Sequence, residues 1–251
     1  MVYRLRQLIG LHVRASDGTI GKIKDLYFDD RSWAIRYLVV ETVALLAAGR
    51  VLISPISVSS IDWDDSLVHV KLTIEQVKGS PPIDTDKPIS RQHEEQLFDY
   101  YGYPYYWTDP SQCLKANGPI DLPGGEPAAR NMPGIRGAAP LDPRLRSANE
   151  VAGYGIQTTT EPMGYVEDFL VDVATWGIRY LLVKTRSWLP GTHVVIPPTW
   201  IKEVVWGQRI VRAAVGAESV RDAPEFSPGI EFSRAYETRL YKHYQRDPYW
   251  L

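Results

Sequence analysis

The sequence predicts a mainly β protein with short α extensions, built as two small antiparallel β-barrels in tandem, each followed by a C-terminal helix. One observation behind this prediction is an internal repeat, because the segment Trp33–Val40 recurs 143 positions later as Trp176–Val183. Another is a series of short apolar runs separated by turn residues, which is typical of small all-β folds. A third is an apolar stripe at Tyr236, Leu240 and Tyr244, whose four-residue spacing indicates a helix after the β-type runs.

The repeat extends along most of the chain and defines three segments. The same spacing pairs Gly10 with Gly153 and Trp107 with Trp250. A single spacing over this length indicates two copies of one domain, since short solenoid repeats have periods of roughly 20–50 residues. We therefore predict a first barrel with its helix and aromatic tail over residues 1–107, a linker rich in Gly and Pro over 108–146, and a second barrel with helix and tail over 147–251.

Turn residues and helix-capping residues divide the first copy into its predicted elements. Thr73 followed by Gln76 predicts a capping box that opens a short helix, and Gly79 is suited to end it. Ser90 and Ser233 are the expected N-caps of the longer helix in each copy. Six β-type runs precede these helices: His12–Ala15, Ile20–Phe28, Trp33–Thr42, Arg50–Pro55, Val58–Trp63 and Leu67–Leu72.

Composition and charge exclude several classes of protein. The 28 Lys and Arg residues nearly balance the 30 Asp and Glu residues, whereas a nucleic-acid-binding protein normally carries clustered positive charge. The longest apolar stretch, residues 37–49, contains Glu41 and is too short to span a bilayer. The single cysteine, Cys113, suits a reducing compartment. We therefore expect a cytoplasmic protein with no membrane insertion.

The repeated motif Gly-x-(Ile/Val)-x-Asp followed by the Ile-Arg-Tyr-Leu strand predicts paired charges. If Phe28 opposes Trp33 across a hairpin, opposed residue numbers sum to 61 and Asp25 faces Arg36. The same geometry sets Asp168 opposite Arg179 in the second copy. We interpret both as structural ion pairs that fix the hairpin register. A catalytic role is disfavoured, since a carboxylate paired with arginine stays ionised and is a poor proton shuttle near neutral pH.

The rest of the sequence carries little material for chemistry. It has no glycine loop for phosphate, no Cys/His metal pattern and no nucleophile elbow, so we expect no catalytic, cofactor-binding or metal-binding residues and no cofactor.

An aromatic tail closes each copy, and it has two interpretations. It could fold back over its own barrel and bury apolar area, or it could form a contact surface, since Tyr and Trp dominate interface hot spots. We expect the tryptophans to pack inward and Tyr103 and Tyr105 to be the first exposed tyrosines. The candidate interaction surface is Tyr103, Tyr105, Tyr106, Trp107, Tyr249 and Trp250.

The glycine–aspartate hairpin and its Ile-Arg-Tyr-Leu-Val-Val strand resemble the PRC-barrel family, which is named after the cytoplasmic domain of the photosynthetic reaction-centre H subunit. The family also supplies the C-terminal domain of the ribosome-maturation factor M. The resemblance covers roughly residues 5–80 and 148–222, with each trailing helix as an extension. It implies a non-catalytic β-barrel that docks onto other proteins. The sequence shows neither the transmembrane helix of the first relative nor the N-terminal domain of the second, so we expect neither specific role to transfer.

The expected function is a non-enzymatic protein-binding adaptor or scaffold, whose partner is another protein, with self-association left open. The alternative is an RNA- or ribosome-associated accessory factor, which would need a basic patch on the folded surface. A linker between two independent barrels also predicts that proteolysis within residues 108–146 releases two folded fragments.

Overall fold

The computed structural model describes residues 2–42, 49–81, 91–105, 145–185, 192–227 and 232–248. The fold is mainly β with few helices. The chain forms two compact units. The N-terminal unit is made of residues 7–147 together with 174–177, and the C-terminal unit of residues 1–6, 148–173 and 178–251. Most of the predicted linker, residues 108–144, lies outside the described residues.

The strands lie close to the β-type runs of the sequence. In chain order they are β1 (Val2–Arg4), β2 (His12–Ala15), β3 (Gly18–Asp29), β4 (Ala34–Thr42), β5 (Arg50–Ile53), β6 (Val58–Asp62), β7 (Leu67–Val70), β8 (Leu145–Ser147), β9 (Gly155–Gln157), β10 (Pro162–Asp172), β11 (Gly177–Thr185), β12 (His193–Ile196), β13 (Ile201–Val205) and β14 (Ile210–Ala213).

The helices are short, and the predicted helix-end residues Thr73, Gly79 and Ser233 are confirmed. They are α1 (Leu5–Leu8), α2 (Ile74–Lys78), α3 (Arg91–Tyr101), α4 (Ala148–Val151), α5 (Ala217–Arg221) and α6 (Arg234–His243). Thr73 and Gln76 form the capping box of α2, and Ser233 caps α6. The predicted cap Ser90 lies outside the described residues. Within the described part of the chain, every helix is too short or too polar to cross a bilayer.

The sheet of each unit is open and is not purely antiparallel. In the N-terminal unit the strand order is β6-β7-β2-β3-β4-β5, and in the C-terminal unit it is β13-β14-β9-β10-β11-β12. The ladders β2–β7 and β9–β14 are parallel, so the prediction of a fully antiparallel sheet is wrong. Apolar periodicity sets which face of a strand is buried but carries no information on its direction. A 3₁₀ turn, Pro55–Ser57, joins β5 to β6, and no ladder between these two strands occurs in the described residues.

Each unit takes one short strand from the other half of the chain. In the C-terminal unit β1 pairs antiparallel with β10, with Arg4 opposite Leu170 and Val2 opposite Asp172. In the N-terminal unit β8 pairs with β3 in the equivalent register, with Ser147 opposite Tyr27. The two compact units therefore differ from the predicted segments at their ends, since residues 1–6 belong to the C-terminal unit and residues 145–147 to the N-terminal unit. A three-residue strand does not reveal in sequence which of two similar edges it joins.

The β3–β4 hairpin has a different register from the one predicted. Phe28 lies opposite Ile35 and Asp25 lies opposite Val39, and the register shifts between Ile23 and Asp25 and again between Tyr27 and Phe28. The prediction failed because Trp33 belongs to the turn rather than to the ladder: its φ is +54°. The backbone N–H of Trp33 donates to the carbonyl of Asp29 over 2.7 Å, which closes the turn.

The glycine of the repeated motif is required by close approach of two strands. A Cβ atom on Gly21 would lie 1.9 Å from the carbonyl oxygen of Glu41, and one on Gly164 would lie 2.1 Å from that of Lys184. Both obstacles are backbone atoms, which cannot rotate away as a flexible side chain can. Any side chain at these positions therefore separates the first long strand from its hairpin partner.

Replacing this glycine with alanine should destabilise the C-terminal unit. Gly164→Ala should lower the free energy of unfolding by about 1–3 kcal/mol or more, because the strands must move apart to admit the methyl group. Gly207→Ala is the matched control, since a Cβ there meets nothing within 4 Å. Urea denaturation of both variants tests this, and equal transition midpoints would show that the strands tolerate the methyl group.

Candidate protein-interaction surface

Helix α3 packs where the sheet of the N-terminal unit fails to close. Ile56 of the 3₁₀ turn and Leu52 of β5 share one apolar cluster with Leu97 and Phe98 of the helix. All four side chains are at most 2% exposed. The helix is therefore part of the core of this unit rather than an appendage, because its apolar face fills the opening between β5 and β6.

A buried tyrosine–glutamate hydrogen bond fixes each long helix to its sheet. In the N-terminal unit the Tyr37 hydroxyl donates to Glu94 over 3.0 Å, and in the C-terminal unit the Tyr180 hydroxyl donates to Glu237 over 2.7 Å. The carboxylates are only 2% and 4% exposed. Glu237 also pairs with Arg234 over 2.9 Å. Sequence reasoning missed both glutamates, although both members of each pair are related by the repeat spacing and could have been found from it.

Tyr103 is packed, so the prediction that it is exposed is wrong. It is 7% exposed, its ring stacks on Tyr101 at 5.3 Å between centroids, and it meets Phe98 edge-on at 5.7 Å. Its hydroxyl hydrogen-bonds to the hydroxyl of Ser57, and burial raises the pKa of Tyr103 above its ordinary range. The small side chain of Ser57 leaves the space that the tyrosine occupies.

The rest of the first aromatic tail is only partly described. Tyr105 is half-buried, and its hydroxyl donates to Asp99. That hydrogen bond, together with burial, raises the pKa of Tyr105 to about 12. Four residues of the predicted surface lie outside the described residues: Tyr106, Trp107, Tyr249 and Trp250.

The C-terminal unit fills the equivalent space differently. Trp200 stands at the position that Ser57 holds in the other copy, and it is 4% exposed. Its ring lies 5.8 Å from that of Tyr241 and 4.4 Å from that of Tyr244, measured between centroids. The single large side chain of Trp200 therefore fills the space that Ser57 and Tyr103 share in the N-terminal unit.

The motif aspartates hold the strands that come from the other half of the chain. Asp25 accepts a 2.8 Å hydrogen bond from the backbone N–H of Leu26 and a 2.5 Å hydrogen bond from the hydroxyl of Ser147. Asp168 accepts from the backbone N–H of Phe169 over 2.8 Å and pairs with the Arg4 guanidinium over 2.9 Å. In each unit, one carboxylate oxygen accepts from the next residue of its own strand and the other binds the incoming strand. Oδ1 of Asp168 also accepts from the backbone N–H of Arg6 over 3.3 Å.

These contacts correct one predicted ion pair and the register from which the other was predicted. The pairing of Asp168 with Arg179 is wrong, because Arg4 occupies the carboxylate and Arg179 instead lies 3.2 Å from Asp172. The register that set Asp25 directly opposite Arg36 is also wrong, and Arg36 donates to the hydroxyl of Ser32 over 3.0 Å.

Burial of the Asp168 carboxylate makes its ionised form costly. Its side chain is only 4% exposed, and burial raises the pKa of Asp168 above its ordinary value. Arg4 and two backbone N–H donors oppose that shift. The carboxylate therefore depends on its cation, since an uncompensated buried charge is strongly destabilising.

Two large hydrophobic side chains stand out as exposed among the described residues, Tyr100 at 41% and Trp206 at 40%. The Tyr100 hydroxyl donates to the carbonyl of Gln76 over 2.9 Å, so this residue has a structural contact between α3 and α2. Trp206 stands at the tip of the β13–β14 hairpin, on a 3₁₀ turn that ends at Arg209 with φ +53°. We call residues 206–209 the Trp206 turn.

The Trp206 turn packs against the buried side chain of Tyr154. The Trp206 ring lies edge-on to Tyr154, with 6.4 Å between centroids, and the Arg209 guanidinium lies 5.4 Å from the same tyrosine ring. Tyr154 is itself fully buried. The turn therefore presents an indole on a rigid base. No pattern in the sequence predicted a role for Trp206, although Trp63 holds the position that the repeat relates to it.

The fold is β-rich, and its buried acids Glu94, Asp168 and Glu237 accept hydrogen bonds from protein donors. Within the described ranges, no three His, Cys, Asp or Glu side chains are placed to hold a metal ion. A family model for the PRC-barrel domain matches residues 1–77, so the N-terminal part of the chain carries a PRC-barrel domain, as the resemblance implied. No curated protein matches the sequence.

Removal of the Tyr103 ring should destabilise the N-terminal unit. Tyr103→Ala should lower the free energy of unfolding by about 3–5 kcal/mol, because it leaves a cavity beside Phe98 and Ser57. The half-buried neighbour provides the control, and Tyr105→Ala should cost about 1 kcal/mol. Thermal melts of the two variants measure the difference. Similar melts for both would mean that Tyr103 contributes no more than a surface residue.

Loss of the buried hydroxyl that binds Glu94 should also be costly. Tyr37→Phe should lower the free energy of unfolding by about 1.5–3 kcal/mol, the range for hydrogen bonds to charged groups. Tyr100→Phe removes an exposed hydroxyl from a neighbouring contact and should have a much smaller effect. Guanidinium denaturation compares them, and a neutral Tyr37→Phe would contradict a role for the hydrogen bond in fixing the helix.

Proposed function

We propose that the chain is a cytoplasmic, non-enzymatic protein-binding adaptor or scaffold built from two PRC-type barrels in tandem. The observation that carries the proposal is the exposed indole of Trp206 on a rigid hairpin turn. The PRC-barrel domain at residues 1–77 supports it, because that domain suggests a protein-interaction module.

The interpretation of two copies is supported by contacts that recur at the repeat spacing. The Tyr37–Glu94 hydrogen bond corresponds to Tyr180–Glu237, and Asp25 corresponds to Asp168 in receiving a short strand. Equivalent residues that perform equivalent structural tasks are what a duplicated domain would retain.

The non-enzymatic part of the proposal is supported by the use made of the buried acids. Glu94, Glu237 and Asp168 each accept a hydrogen bond that orders a helix or a strand. A general acid or base must face a substrate with its proton-transfer atoms within hydrogen-bond reach of it. These carboxylates are at most 4% exposed and point at protein donors instead.

The Trp206 turn has the composition of an interface hot spot. Tryptophan and arginine are the residues most enriched in such spots, where a central aromatic enters a pocket and polar neighbours exclude water. Arg209 is adjacent in the turn, and the exposed pair Glu203–Arg212, 2.5 Å apart, lies on the strands below. The partner that fits is a protein with an apolar pocket bordered by polar groups.

The test compares the proteins that co-purify with the full chain from its native host. Wild type should recover a defined protein partner, and Trp206→Ala should lose it with only a small fall in the melting temperature, from the lost contact with Tyr154. A cost of about 2 kcal/mol or more in binding is typical of a hot-spot aromatic. Lys202→Ala, an exposed change on the same hairpin, should retain the partner.

Two results would contradict the proposal. Recovery of the same proteins with Trp206→Ala would remove the Trp206 turn as the docking surface. Recovery of RNA or ribosomal particles, sensitive to salt, would favour the alternative of a ribosome-associated factor.

A further inference from the structure

The edges that receive the exchanged strands have the same geometry in both units. Tyr27 to Asp29 of β3 pair with β8, and Leu170 to Asp172 of β10 pair with β1, over three residues each and in equivalent register. Backbone pairing alone therefore does not decide which strand occupies which edge. The choice must come from side chains.

Two arginines distinguish the strands. Arg4 on β1 meets Asp168 in the C-terminal unit at 2.9 Å, and Arg146 on β8 meets Asp30 in the N-terminal unit at 2.7 Å. Both pairs are largely screened from solvent, with side-chain exposures of 24% and 4% in the first and 13% and 16% in the second. The two arginines occupy different positions in the repeat, since Arg4 corresponds to Ser147 and Arg146 corresponds to Tyr3.

The opposite assignment would lose charge partners. If β8 lay on β10, the residue at the place of Asp30 would be Val173, so Arg146 would face no acid there. Asp168 would then meet the hydroxyl of Ser147 in place of a cation. A buried carboxylate without its cation and an arginine without its acid both carry desolvation penalties. The ion pairs therefore stabilise the observed strand at each edge and also disfavour the other strand there.

We infer that the two halves of this chain are obligate partners, in which each half completes its sheet with the opening strand of the other, and that Arg4 and Arg146 specify the exchange. The ligand of each acceptor edge is an extended segment with an arginine at a defined position. A half without its donor exposes an unpaired strand edge, which favours association with another chain. The halves therefore do not behave as two independently folded domains.

The first test cuts the intact chain between its halves. A specific protease site is inserted within residues 108–144, and the cleaved protein is analysed by native mass spectrometry and size-exclusion chromatography. Both fragments should remain in one 1:1 complex, and they should separate only in denaturant. Release of two folded fragments, as independent domains predict, would overturn the inference.

The second test locates the effect of each arginine, because fragments could also remain together through other contacts. Arg4→Ala in the full chain should speed amide hydrogen exchange about tenfold or more in β10 and leave β3 unchanged. Arg146→Ala should do the reverse. Arg6→Ala is the control, since the exposed Arg6 contacts Asp168 through its backbone N–H, which alanine keeps. If Arg4→Ala speeds amide exchange in β3, or in neither strand, then Arg4 does not determine which strand joins which edge.

Discussion

The organisation of the structure depends on one interaction, the hydrogen bonding of a motif aspartate to a strand from the far half of the chain. Asp25 and Asp168 each use one oxygen on the following backbone N–H and the other on the incoming strand. The Asp168 carboxylate is buried, and it is favourable only while its donors stay in place. The motif therefore couples local strand geometry to a contact more than a hundred positions away in sequence, as Asp168 and Arg4 illustrate.

The open sheets explain why the helices are part of the fold. Because no ladder joins β5 to β6 in the described residues, apolar side chains at that opening need a cover. Helix α3 provides it through its apolar face and the Tyr37–Glu94 hydrogen bond. In the N-terminal unit Tyr103 fills the space beside the small residue Ser57, and in the C-terminal unit the large side chain of Trp200 fills the equivalent space. Both interiors are close-packed, as protein interiors generally are. This flexibility in how the space is filled explains why Tyr103 has no aromatic counterpart at the repeat spacing.

The sequence was sufficient for local features and insufficient for pairing. The β-type runs, the capping box at Thr73 and the cap at Ser233 were predicted, since each depends on residues close together in the chain. The hairpin register was not, because Trp33 adopts a left-handed turn conformation that a bulky residue rarely takes. Strand direction and strand exchange depend on tertiary contacts. Among the candidate surface residues, the packing of Tyr103 depended on a space beside Ser57 that no local pattern records.

The acids that hold the fold together do not indicate where this protein acts. The motif aspartates and the helix glutamates are committed to holding strands and helices, so their repetition is accounted for by folding alone. An exposed aromatic side chain is more informative about function. The indole of Trp206 is 40% exposed, and its edge-on contact with Tyr154 orients the ring without burying it. An exposed aromatic held on a rigid turn loses little conformational entropy when it enters a partner's pocket, which lowers the cost of binding.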